Sequence, residues 1–133
     1  MAAITERITA TVPATAITAD YDQTVAQSHV AGVVSSVTYV PEAAVTGNTT
    51  DSRTLTLVNK GQSGAGSTVI GTLAFITGVN GVAFAEQAFT LSTTAADLVV
   101  AAGDVLAFVS THVSATGLAD PGGRVEVEIT RTA

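Results

Sequence analysis

Cysteine and tryptophan are absent from this chain of 133 residues, proline occurs three times, and only 12% of residues carry charge. Lack of cysteine excludes a disulfide framework, a thiolate metal site and a cysteine nucleophile. The charged fraction lies well below the usual quarter or so. Its five basic residues, Arg7, Arg53, Lys60, Arg124 and Arg131, are scattered among eleven acidic ones, giving a net charge of −6. Nucleic acids and anionic membranes need clustered Lys and Arg, so neither is an expected partner. No apolar run approaches the roughly 20 residues that span a bilayer. The opening residues, Met1 to Arg7, do not combine a basic segment with an apolar core, and so do not read as a secretion signal.

What remains is rich in small and β-branched residues. Hydrophobic residues make up 47% of the chain, but most are Ala and Val, and Ala and Thr each supply roughly a sixth of it. That mixture favours pleated sheet over helix. A chain of this length suits one domain, or one domain with an arm, and buries roughly two thirds of its unfolded surface without metal or disulfide support.

From residue 30 onward the pattern is strand, turn, strand. Val30 to Val40 is β-branched and stops at Pro41. Thr54 to Val58 alternates, with Leu55 and Leu57 on one face. Asn59 to Thr68 is a Gly/Ser loop, and Val69 to Ile76 is a strand. Asn80-Gly81 predicts a type I′ hairpin, with Val82 to Leu91 as the returning strand. Phe84 and Phe89 would then point to opposite faces unless a bulge near Glu86-Gln87 intervenes. Leu98 to Ala101 is short, and Val105 to Val109 is apolar on both faces, as expected of a covered strand or a subunit interface. After the turn at Asp120 to Gly123, Arg124 to Arg131 alternates cleanly, with Val125, Val127 and Ile129 inward. Seven or eight short strands at this spacing predict an all-β, antiparallel β-sandwich, jelly-roll-like, over residues 30–133.

Residues 1–29 contain no glycine and many threonines, and Pro13 interrupts them. The expectation is an extended N-terminal arm, with a disordered tail or one more edge strand as alternatives. Ile4, Ile8, Val12 and Ile17 have no obvious place in a sandwich already closed by the later strands. With Arg7 and Tyr21, they are the candidate residues for contact with a partner.

No pattern carries a reaction. In Gly61-Gln62-Ser63-Gly64-Ala65-Gly66, a serine elbow needs glycine where Ala65 stands. A phosphate loop needs a helix after it, and here a strand follows. His29 and His112 lack acidic companions in sequence. Asp20-Tyr21-Asp22 offers two carboxylates toward calcium, and Glu126 with Glu128 imitates a carboxylate dyad; both pairs read more simply as solvated. The chain is therefore expected to be no enzyme, with no cofactor, metal or small-molecule substrate.

The phrases TLTLVNKGQSGAGSTVIGTLAF, GVNGVAFAEQAFTLS, VVAAGDVLAFVSTHV and GLADPGGRVEVEI, in that order, span most of residues 30–131. They resemble a family of capsid decoration proteins from tailed phages that infect actinobacteria. That resemblance implies a virion protein on the capsid exterior, made in the host cytoplasm and bound to the major capsid protein as a homotrimer. Val105, Leu106, Phe108 and Val109 are the expected subunit interface, and the arm the expected capsid anchor. The alternative is a carbohydrate-binding β-sandwich module of a phage or cell surface, although such modules usually present Trp or Tyr and this chain has only Tyr21 and Tyr39.

Overall fold

A computed structural model describes residues 4–114 and 116–131. Ten strands follow in order: β1 (Thr5–Val12), β2 (Tyr21–Gln27), β3 (Gly32–Pro41), β4 (Arg53–Gly61), β5 (Thr68–Phe75), β6 (Gln87–Ala88), β7 (Thr90–Leu91), β8 (Val99–Val100), β9 (Val105–His112) and β10 (Gly123–Arg131). One 3₁₀ turn, Ala95–Leu98, precedes β8. Every pairing is antiparallel. The first sheet runs β1-β10-β3-β6, with β8 also on β3, and the second runs β2-β9-β4-β5-β7. The two sheets pack face to face as an all-β sandwich.

Alternation places the core. Val125, Val127 and Ile129 of β10 point inward with Val34, Val37 and Tyr39 of β3. From the other sheet come Leu55 and Leu57 of β4, Leu73 and Phe75 of β5, and Leu106 and Phe108 of β9. Phe108 is the hub: its ring lies 5.8 Å from Tyr21, 5.8 Å from Tyr39 and 6.3 Å from Phe89. With so few large side chains, a sandwich of Val and Leu needs this one aromatic cluster to fill the width between sheets.

The segment expected as an arm is instead built into the sandwich. Each of the residues Thr5 to Val12 pairs with β10, from Thr5 opposite Thr130 to Val12 opposite Gly123. Tyr21 to Gln27 pairs with β9. The segment thus supplies one edge strand to each sheet, and these meet on one open side, where Gln23 Nε2 donates to the Thr11 carbonyl at 3.0 Å. Val12, Val25 and Ala26 are buried, and Ile8 packs against the core. The division into an arm of residues 1–29 and a sandwich of 30–133 does not describe this arrangement; Met1 to Ala3, Ala115, Thr132 and Ala133 lie outside the described residues. The physical reason is that β10 and β9 each needed a partner on one side, and the alternating Thr-rich segment satisfies their backbone groups.

The Asn80-Gly81 hairpin also does not form. The chain turns one step earlier, at Ile76 to Val79, where Val79 N–H donates to the Ile76 carbonyl at 2.9 Å and Gly78 takes φ 90°. Gly81 then bridges Val45 through two backbone hydrogen bonds, and Asn80 Oδ1 accepts from Gly47 N–H. Val82 to Leu91 is a crossing between the sheets, not a returning strand: β6 pairs with β3 and β7 with β5. Phe89, between them, enters the core, whereas Phe84 is 80% exposed.

Deleting residues 1–29 removes an edge strand from each sheet together with the buried Val12 and Val25, each worth about 1.5–3 kcal/mol on burial, and the smaller buried Ala26 and Ser28. The truncated chain should lose its cooperative thermal transition by circular dichroism. A truncated chain that melts at the temperature of the full chain would show these strands to be dispensable.

Candidate functional site

One end of the sandwich gathers the ends of β1, β3 and β9 and the starts of β2, β4 and β10. A buried polar chain organises it. Arg53 precedes Leu55 by two residues, so strand alternation turns its side chain into the core, where it is fully buried. Its Nη1 donates to Ser110 Oγ at 2.8 Å, and Ser110 Oγ donates to Asp120 Oδ2 at 2.8 Å. Asp120 also accepts from Tyr39 OH at 2.8 Å, Tyr21 OH at 3.2 Å and Gly122 N–H at 3.0 Å. The remaining guanidinium donors cap loop carbonyls: Leu118 at 2.5 Å, Ala19 at 2.9 Å, Ala16 at 3.0 Å and Ile17 at 3.4 Å.

A buried cation and a buried carboxylate are tolerated only when paired and hydrogen-bonded. Both conditions are met here, with Ser110 as the bridge. Burial, followed by the adjacent Asp120 carboxylate, pushes the Tyr21 and Tyr39 hydroxyls well above the usual tyrosine range. They remain hydrogen-bond donors across the physiological range. The guanidinium, the Ser110 hydroxyl, the Asp120 carboxylate and both tyrosine hydroxyls each have a partner, so this network fixes the loops; the buried Thr15 Oγ1 beside it has none.

The same end carries an open cleft of about 630 Å³ over the outer face of the first sheet, across β1, β10 and β3. Arg124 stands on β10 between Thr11 of β1 and Val40 of β3. Pro41, Glu42, Phe84 and Glu86 complete its rim. Ala85 N–H donates to the Val82 carbonyl at 3.0 Å, and Phe84, with φ 63°, occupies the third position of this turn. That position of a type II turn favours glycine; an aromatic there is strained. The Phe84 N–H is tied to the Pro41 carbonyl at 2.9 Å, which holds its backbone at the end of β3.

The expected contact residues divide. Leu106 and Phe108 belong to the core of the single chain, so the expected interface of Val105, Leu106, Phe108 and Val109 keeps only Val105 and Val109, half-exposed on the outer face of the second sheet. Among the expected arm contacts, Val12 is buried, Ile8 is half-buried and Tyr21 is bonded to Asp120. Ile4 and Ile17 are exposed at 58% and 49%. Arg7 Nε pairs with Glu128 Oε2 at 3.0 Å, so one member of the Glu126–Glu128 pair is a cross-strand ion-pair partner. His29 sits by Glu6 at 3.1 Å and His112 by Asp20 at 2.6 Å, two separate pairs. Among the described residues no three His, Asp or Glu side chains converge on one point.

Arg53 and Asp120 were not singled out from sequence. The signal was present: Arg53 is in phase with Leu55 and Leu57, and Ser110 with Leu106 and Phe108. Phe84 carried no comparable signal. No protein-family model, curated protein or solved structure matches the chain.

Replacing Arg53 by Met leaves Asp120 buried without its cation and uncaps the loop carbonyls. Breaking a buried pair in this way costs about 3–5 kcal/mol. Urea unfolding should register that loss; an unchanged midpoint would show the network to be energetically idle.

Acid sensitivity arises elsewhere. The His112 backbone N–H, then its side chain, hold the Asp20 carboxyl below the usual carboxylate range, and Asn59 followed by the Ala101 N–H does the same for Asp104. A carboxyl depressed in the folded state contributes stability above its unfolded pKa of about 4, and the contribution is lost as pH falls through the folded value. Thermal midpoints should therefore drop below about pH 4, and Asp20→Asn with Asp104→Asn should flatten that limb. An unaltered acid limb in the double variant would assign the loss to other carboxylates.

Proposed function

We propose that the chain is a structural protein of a phage head, attached as a homotrimer to the outside of the assembled capsid and stabilising it. One observation supports this beyond the resemblance of residues 30–131 to decoration proteins. The outer face of the second sheet carries small, uncharged side chains across its central strands. Thr56 lies between Val109 and Thr72, and Val58 between Ala107 and Val69; Val58 and Ala107 are already covered by their neighbours, so Thr56, Thr72, Val109 and Val69 form its accessible part. Charge enters only at the margin, where Lys60 Nζ meets Asp22 Oδ2 at 3.2 Å.

An exposed sheet face in a free-standing protein normally alternates with Lys and Glu, which also discourage sheet stacking. A Thr/Val/Ala surface loses little side-chain entropy on burial and packs closely on another flat surface. Subunit contacts through Val105 and Val109 use this face. Many copies on a symmetric shell then turn a modest contact into durable attachment. Holding the shell in this way takes burial and hydrogen bonding; no bond is made or broken.

Light scattering after size exclusion should give a trimer at micromolar concentration, and Val109→Glu should yield monomers that melt at a similar temperature. Antibodies to the chain should label the outside of intact heads in electron micrographs of purified virions. Heads without label would overturn the reading, and a monomeric wild type would overturn the trimer.

A further inference from the structure

Among the described residues, eleven of the sixteen charged side chains have a hydrogen-bond or ion-pair partner. Glu6 meets His29, Asp20 meets His112, Asp22 meets Lys60, Glu128 meets Arg7 and Asp104 meets Asn59. Asp51 and Asp97 accept from Ser114 and Ser92, and Arg53 and Asp120 share the buried chain. Among the described residues, the charged side chains outside any hydrogen bond or ion pair are Glu42, Glu86, Arg124, Glu126 and Arg131. Three of these, Glu42, Glu86 and Arg124, line the one cleft whose wall is the strained, exposed Phe84. Opposite charges share that rim without closing on each other.

We propose that this cleft binds a neutral saccharide, with Phe84 as the platform under a sugar ring, Glu42 and Glu86 accepting from its hydroxyls and Arg124 donating to them. This inference does not rest on the capsid reading. A free aromatic face attracts the C–H side of a sugar ring, and the edge of the ring needs donors and acceptors together. The two carboxylates oppose an anion, and the guanidinium opposes a cation; a polyol uses both signs at once. A protein partner laid over the same patch would desolvate three unpaired charges around a single ring, contrary to the charge-depleted centres of protein interfaces.

The rim is also rigid. Arg124 stands on a central strand of the first sheet, and Glu42 N–H donates to the Gly122 carbonyl at 3.0 Å, next to the Asp120 anchor. The strain at Phe84 is consistent with a residue held for its exposed ring, since glycine fits the turn better.

The test is a titration of the full chain, followed by ¹H–¹⁵N correlation spectra, with maltotriose, mannotriose and chitotriose at about 10 mM each. That range suits a single stacking site with a Kd on the order of 1 mM. A basic peptide and an apolar peptide form the comparison arm. At least one sugar should shift the amides of Phe84, Ala85, Glu86, Glu42 and Arg124. Phe84→Gly should keep the fold, melt no lower than the wild type, and weaken binding at least about tenfold. Absence of shifts with all three sugars, shifts confined to another region, unchanged affinity in Phe84→Gly, or a response to a peptide alone would each overturn the proposal.

Discussion

The buried Arg53 guanidinium constrains everything at its end of the sandwich. An unpaired cation in an apolar interior costs far more than a small domain's entire stability margin, so the chain around it is obliged to supply partners. It does so from separate stretches: the loop after β1 gives the Ala16, Ile17 and Ala19 carbonyls, the loop before β10 gives Leu118 and Asp120, and β9 gives Ser110. Loops with no regular structure of their own are thereby tied to the strands. The Thr15–Asp120 backbone bridge, with hydrogen bonds of 2.8 and 3.2 Å, closes the two loops on each other.

That polar clamp and the aromatic hub are one assembly. Tyr21 and Tyr39 stack beside Phe108 and send their hydroxyls to Asp120. Each tyrosine therefore serves the core with its ring and the network with its oxygen, which suits a chain with so few aromatics. The two sheets are joined through the same residues, since Tyr39 belongs to the first sheet and Tyr21, Arg53 and Ser110 to the second. Loss of either tyrosine ring would leave a cavity between the sheets; loss of either hydroxyl would leave Asp120 short of a donor.

Much of this architecture was legible in residue order. Alternation in β10 and β4 gave the inward set Val125, Val127, Ile129, Leu55 and Leu57. Legibility failed where the outcome depends on which strand lacks a partner. Thr5 to Val12 alternates weakly, and Glu6 stands on its apolar face, so nothing local distinguishes an arm from an edge strand; the free edge of β10 decides it. Asn80-Gly81 failed for a related reason. Gly78, with φ 90°, completes the turn first, and Gly81 is drawn into pairing with Val45. At Val105 to Val109, residues apolar on both faces fit either a covered strand or an interface; in the fold Leu106 and Phe108 fill the core and Ala107 is covered, which leaves Val105 and Val109 half-exposed. Phe84 was unreadable because its exposure follows from a crossing between sheets that no local pattern encodes.

The two polar regions at this end differ in what they ask of the rest of the molecule. At Arg53, charge is drawn into the interior and matched by hydrogen bonds within the chain. At Phe84, the chain holds a large ring in solvent at a backbone angle of 63° that glycine would occupy more easily, beside side chains of both signs that remain unmatched. Strain of this kind persists only where surrounding structure over-determines it. Here that determination comes from the Pro41 carbonyl and the Val82–Ala85 hydrogen bond. Since Pro41 lies two residues beyond Tyr39, whose hydroxyl is fixed by Asp120, the matched region supplies the rigidity on which the unmatched one depends.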